Sequence, residues 1–196
     1  MSTPSIEEQI ESLEKQKDEI IQQLVQLKHQ RSNNEHIKNY ELFDFAGTAV
    51  TLLELFGDKN DLIIIHNMGK GCNYCTLWAD GFNGFAKPLA DRAAFVVVTP
   101  DMPAVQQEFA ESRGWTFRMA SAHGTPFISE LGFSEFKDGK EYYHPGYSTF
   151  KKHPDGTITR AAYDYFGPGD MYCSVWHIFE LLPDGIANWH PKKVYA

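Results

Sequence analysis

The chain has 196 residues, 42% of them apolar and 22% charged, and 18 basic against 26 acidic side chains give a net charge of −8. These totals suit one folded domain with an appended element and exclude both a disordered chain and a basic stripe for nucleic acid. The start, MSTPSIEEQIESLEK, lacks a basic segment followed by an apolar run, and no stretch nears the roughly 20 apolar residues that span a bilayer, so a cytoplasmic location is the default expectation.

The first 31 residues carry no Gly and no aromatic residue, and are rich in Glu, Gln and Lys. They predict one long helix, opened by Ser5 and Glu8 as a capping box. Ile6, Ile10, Leu13, Ile20, Leu24 and Leu27 alternate spacings of four and three, interrupted only by Lys17. Such a seam either zips to a second copy as a coiled-coil homodimer or lies along the chain's own body. Polar residues 31–39 read as a hinge, which divides the chain into an arm (1–39) and a globular domain (40–196).

In that domain, 40–45 predicts a strand, 51–56 a short helix closed by Gly57, and 61–66 (DLIIIH) a buried strand. Cys72 to about Ala90 suits a helix that Gly81, Gly84 and Pro88 should bend or interrupt. A further apolar strand follows at 93–99, and then a helix at 102–113 ended by Gly114. Strands alternating with helices imply a parallel sheet covered on both faces. Later, 147–152 and 157–165 read as strands joined across His153-Pro154-Asp155-Gly156, a strong turn signal. A final helix is expected over 169–182. Together these elements describe an α/β chain with a thioredoxin-like layout, a central mixed sheet flanked by helices, and a helical N-terminal arm.

Chemistry concentrates in GKGCNYCTLW (69–78). Three cysteines in 196 residues build no dense disulfide framework, and a close pair in a reducing compartment points to catalysis or metal binding. Cys72 and Cys75 stand where a strand gives way to a helix, whose unpaired N–H groups and dipole favour a thiolate over a thiol. A free thiol ionises near about 8.5, whereas a C-x-x-C sulfur at a helix start ionises at about 7 or below. Two intervening residues let Cys75 reach Cys72 within one turn, so Cys72 reads as the nucleophile and Cys75 as the resolving thiol. Lys70 is a cation that would favour the thiolate, or else a solvated loop lysine. A structural zinc site needs four ligands; one C-x-x-C, with Cys173 distant and His66, His123 and His144 scattered, supplies too few without help from folding. Cys173, among aromatic residues, reads as a small buried hydrophobe.

The runs Ile65-His66-Asn67-Met68, Cys72 to Asp80 (CNYCTLWAD), Arg113-Gly114-Trp115-Thr116-Phe117 and Leu181-Leu182-Pro183-Asp184-Gly185 occur here in the order seen in the thioredoxin-like family catalogued as "domain of unknown function 899". The chain resembles that family over nearly its whole length, and the family is labelled a predicted dithiol-disulfide oxidoreductase. The resemblance implies a thioredoxin-like fold with no assigned substrate. The loop before Cys72 is shorter than in other members, and Asn73-Tyr74 stand where Pro-Ser is frequent. Thioredoxins also carry a buried carboxylate six residues before the first cysteine, and His66 occupies that place. Its imidazole would exchange a proton with Cys75 near neutrality, or simply close the strand end with a hydrogen bond. The thioredoxin cis-proline has two candidate positions, Pro145 and Pro126. Trp78 and Trp115 read as core anchors, and Asp80 as a locally bonded carboxylate.

These readings point to a thiol-disulfide oxidoreductase with Cys72, Cys75 and His66 as its catalytic residues and no cofactor. Its expected partners are an unknown disulfide or thiol substrate and an external electron donor or acceptor. Peroxide reduction is chemically close, but the Pro-x-x-x-Thr/Ser-x-x-Cys frame of typical peroxiredoxins is missing before Cys72. Two other classes remain open: a redox-idle binding module and a Cys/His metal-binding protein.

Overall fold

A computed structural model describes residues 4–195. Helix α1 (Ile6–Ser32) opens with the expected capping box, in which Ser5 Oγ accepts from the Glu8 N–H and the Glu8 carboxylate accepts from the Ser5 N–H. It is followed by β1 (Glu35–Ile37), β2 (Glu41–Phe43), β3 (Ala49–Thr51) and α2 (Leu52–Leu55). The central run is β4 (Asp61–His66), α3 (Asn73–Arg92), β5 (Ala94–Thr99), α4 (Pro103–Arg113), β6 (Arg118–Ser121) and α5 (Phe127–Glu130). The chain closes with β7 (Ser134–Lys137), β8 (Lys140–Tyr143), β9 (Gly146–Lys152), β10 (Ile158–Tyr165) and α6 (Val175–Phe179).

Eight strands form one mixed sheet in the order β1-β10-β9-β4-β5-β6-β2-β3, while β7 and β8 make a separate hairpin. The apolar strands β4, β5 and β6 are parallel, joined by crossovers through α3 and α4; β9 and β10 run antiparallel beside β4. Alternation along β4 sorts the core into two layers. Leu62 and Ile64 face a layer containing Phe127, Phe133 and Phe150, whereas Ile63 and Ile65 face the layer under α3 with Trp78, Phe95 and Trp176.

Several elements differ from expectation. The hinge segment contains β1, which pairs antiparallel with β10 at the sheet edge, Glu35 opposite Arg160. Helix α3 runs unbroken to Arg92, with Gly84 and Pro88 both on its exposed side, where the carbonyl that proline leaves unpaired is open to solvent rather than sealed in the core. The last helix shrinks to five residues, Val175–Phe179. Asp170 accounts for the loss: its carboxylate accepts the N–H groups of Gly167 and Tyr172, local bonds that hold the preceding chain in turns. No peptide bond among the described residues is cis, so Pro145 and Pro126 are both trans.

Helix α1 touches the body only by its C-terminal half. Beyond β1, the edge of β10 is covered by α1: Arg31 donates to the Tyr163 carbonyl, the His29 ring bonds the Ala161 carbonyl at 2.9 Å, and Lys28 pairs with Asp164 at 2.6 Å. The helix thereby blocks an open strand edge. Residues 4–20 are exposed throughout, and the apolar seam is uncovered, from 47% exposure at Leu24 to 70% at Ile6. The seam therefore does not lie along the chain's own body. Among the described residues, no helix is long and apolar enough to cross a membrane.

Candidate active site

The site forms where β4 ends and α3 begins. Asn67 leaves the strand with its amide buried; its Oδ1 accepts the Gly69 N–H at 2.8 Å and its Nδ2 donates to the Cys75 carbonyl at 3.3 Å. Gly69 turns the loop with φ +92°, and an added Cβ there would meet the Asp101 carboxylate at 2.8 Å. Glycine suits this positive φ, and any other side chain would also have to displace the Asp101 carboxylate. The Asp101 carboxylate also accepts the Lys70 N–H at 2.7 Å, and the Cys72 N–H reaches the Gly69 carbonyl at 3.1 Å. The short loop is thus pinned at both ends before the helix starts.

Cys72 is the N-cap of α3, and its Sγ accepts the Cys75 N–H at 3.1 Å, the place usually taken by a Ser or Asp oxygen. Thr76, also buried, donates its hydroxyl to the Cys72 carbonyl at 2.9 Å and locks the first turn. Both cysteines are free thiols; Cys72 is half-buried and Cys75 is 2% exposed.

Their electrostatics diverge. The Cys75 thiol donates to Cys72 and brings its pKa down to about 7, against the opposing effect of burial; the N–H groups of Cys75 and Tyr74 and the Lys193 ammonium add to the lowering. Cys75 moves strongly upward, because ionising it would forfeit the bond to Cys72, strip solvent from a buried charge and place two anions side by side. Of the two sulfurs, Cys72 is therefore the one that ionises near neutrality, while Cys75 keeps its proton.

His66 is not part of this arrangement. Ile65 points toward α3, so period-two alternation sends the next side chain through to the opposite face of the sheet. There the His66 ring stacks on Phe133 with centroids 3.6 Å apart and bonds Ser148 Oγ at 3.0 Å. Burial, followed by the Arg160 charge, holds its pKa well below the ordinary value, so the ring is neutral at pH 7. The expected proton exchange with Cys75 is therefore corrected: the sheet stands between them. Asn67, one residue later, is the polar group that faces Cys75.

The C-terminal tail completes the site, and nothing in the spacing of its residues announced it. His190 Nδ1 lies 3.0 Å from the Tyr74 hydroxyl, and the Lys193 carbonyl accepts from Arg113. Lys193 rather than Lys70 is the cation whose field reaches Cys72. Asp80 bonds at long range, not locally: it pairs with Arg113 and accepts Trp115 Nε1–H at 2.8 Å, tying α3 to the end of α4. Trp78 and Cys173 are buried in the layer under α3, as expected of core residues. No group of three or more His, Cys, Asp or Glu side chains among the described residues is arranged to hold a metal ion.

A family model described as "Bacterial protein of unknown function (DUF899)" matches residues 7–194. The chain belongs to the DUF899 family. No curated protein matches it. Among solved structures, it is similar to the peroxidoxin BcpB of Mycobacterium tuberculosis, at 25% identity and a TM-score of 0.56 over 67% of this chain and 84% of that one. It is also similar to a peroxiredoxin-like protein of Aquifex aeolicus, at 14% identity and a TM-score of 0.53 over 67% and 74% of the two chains. This DUF899 chain thus has a thioredoxin-like fold whose structural neighbours include peroxiredoxins, and its first cysteine begins the helix that follows a central strand.

Proposed function

We propose that this DUF899 protein is a dithiol oxidoreductase in which the Cys72 thiolate attacks the sulfur of a substrate disulfide. The S–S bond breaks, one substrate thiolate leaves and takes up a proton, and a mixed disulfide forms on Cys72. Cys75 then loses its proton to water or to the second leaving sulfur and attacks Cys72 Sγ. The second substrate thiol departs, and a Cys72–Cys75 disulfide remains. An external dithiol would return the pair to the reduced state. Two thiols are oxidised and one disulfide is reduced, so electrons balance.

The carrying observation is the Cys72 sulfur at the N-cap of α3, accepting the Cys75 N–H at 3.1 Å, in an environment that lowers its pKa to about 7 while that of Cys75 is raised. It also orders the steps. In the reduced pair, the Cys72 anion is the first cause holding the Cys75 proton in place. Once Cys72 is covalently occupied that anion is gone, while the Met68 N–H still favours a Cys75 thiolate. Attack by the first sulfur therefore readies the second, and no histidine is needed as base.

A Cys75→Ser variant tests the order. Exposed to a model disulfide such as 5,5′-dithiobis(2-nitrobenzoate), it is expected to retain one stable adduct on Cys72, whereas the wild-type protein releases two equivalents of thiol and ends oxidised. An adduct on residue 75 of Cys72→Ser forming equally fast would overturn the assignment.

A second reading, peroxide reduction, draws on the 25% identity with a peroxidoxin. Attack of the Cys72 thiolate on peroxide would give a sulfenic acid and release hydroxide or alkoxide; Cys75 would then condense with it, releasing water. The missing Pro-x-x-x-Thr/Ser frame weighs against it, since Ile65 and Gly69 stand at those positions relative to Cys72. Comparing turnover of hydrogen peroxide with that of a disulfide under one reductant separates the two.

A further inference from the structure

The body of the protein leaves one surface conspicuously unpartnered. Helix α1 is 27 residues long, and residues 4–20 project with every side chain exposed. An isolated helical arm of that length is marginal in water, and a seam of six exposed aliphatic side chains is not a stable endpoint for it. Where α1 meets the body, Leu24, Leu27, Lys28, Arg31 and Asp164 line an open groove of about 480 Å³ that runs on from the seam.

Charge along the helix selects the occupant. Residues 6–14 hold four carboxylates, Glu7, Glu8, Glu11 and Glu14, and no cation; residues 23–32 hold Lys28 and Arg31 and no carboxylate. At the groove those two cations share the single carboxylate of Asp164, at 2.6 and 3.9 Å, which leaves a positive surplus. A parallel pairing of two such helices would set the four carboxylates of each copy beside their twins and Lys17 against Lys17 within the seam. An antiparallel pairing sets the acidic start against the basic end and opposes the two helix dipoles.

We propose that α1 pairs with α1 of a second copy as an antiparallel coiled coil, the two-fold axis passing between Asp18 and Glu19. The heptad fixes the register. Ile10 packs on Leu27 of the partner subunit, Leu13 on Leu24 of the partner subunit, and Lys17 on Ile20 of the partner subunit, with its ammonium reaching water past the contact. Glu7 meets Lys28 of the partner subunit at the groove. The free half of each helix thereby fills the groove at the root of the other; Ile10, Leu13, Leu24 and Leu27 each gain an apolar neighbour, and Ile6 packs on the aliphatic stem of Arg31 of the partner subunit. The two bodies sit at opposite ends of the coil, each retaining its own complete cysteine pair.

The test uses the full-length chain carrying Cys72→Ser and Cys75→Ser, so that only introduced thiols can cross-link; Cys173 is buried. Sedimentation equilibrium is expected to give a dimer, and Leu13→Glu a folded monomer by circular dichroism and mass. Leu13→Cys mixed with Leu24→Cys should form a disulfide between unlike chains under mild oxidation, while Leu24→Cys alone should form none. A monomer for the parent protein, a dimer unaffected by Leu13→Glu, or cross-linking of Leu24→Cys to itself would each overturn the proposal. None of these results depends on the activity proposed for Cys72.

Discussion

Cys72 and His66 leave the same end of β4 only six positions apart, yet they face opposite sides of the sheet. On the α3 side, a half-buried sulfur meets backbone N–H groups, a neighbouring thiol and a lysine, all of which favour a negative charge. On the other side, an imidazole is sealed between phenyl rings and a serine hydroxyl, an environment that removes its charge. The contrast teaches that distance along the chain from a catalytic cysteine says little, and the parity of a side chain on its strand says more. A residue one place along, Asn67, lies on the reactive side.

The sharpest way to break this comparison is to remove one group from each face. Cys72→Ser is expected to abolish disulfide reduction, by on the order of 10³-fold or more, with the fold intact by circular dichroism. His66→Asn should do the reverse: unfolding in denaturant becomes easier by about 1–3 kcal/mol through the lost stack and hydrogen bond, while the alkylation rate of Cys72 per folded molecule stays unchanged. A His66 variant that folds normally but slows mixed-disulfide resolution would restore the histidine to the mechanism.

Glycines sharpen the same contrast. Gly146 lies opposite His66 in register, and a Cβ there would come within 2.1 Å of the Asp164 carbonyl oxygen and 2.6 Å of the Phe133 ring. Gly146→Ala should cost about 3 kcal/mol or more, read by chemical denaturation, since backbone cannot move aside as a side-chain tip can. Gly69→Ala should cost less, about 1–3 kcal/mol from the positive φ and the Asp101 contact, but should also slow attack by Cys72 because the loop that aims it is displaced.

The sequence is informative about this fold wherever one element is long or one signal is local. The apolar runs of β4 and β5, the helix ended by Gly114 and the capping box of α1 appear within a residue or two of their expected places. The three-residue strands β1 and β3 escape because their pairing is set by tertiary neighbours rather than by period. The β7–β8 hairpin did carry a signal, Asp138-Gly139 with φ of 51° and 76° between alternating residues. In the site, the cysteine pair was readable from spacing and helix position. The Asn67 contact needed only the alternation already evident in DLIIIH. The contribution of Lys193 needed the tail to fold back across α4, which no local pattern encodes.

That tail offers the finest adjustment. Cys72 should titrate by iodoacetamide reactivity with a midpoint near the value of about 7. Its pKa lies below that of an ordinary thiol, so the thiolate dominates above this midpoint and the rate falls about tenfold per pH unit well below it. The causes rank unequally. Cys75 acts first, through its thiol and then its N–H, whereas Lys193 acts only through space and comes last. Cys75→Ala, which removes the thiol donor but keeps the N–H, should therefore raise the midpoint visibly. Lys193→Gln should raise it by only a few tenths of a unit at low salt, and the difference should vanish near 1 M salt, where screening shortens to about 3 Å. A larger shift from the lysine than from the cysteine would mean that the tail, rather than the neighbouring sulfur, holds the proton equilibrium of the pair.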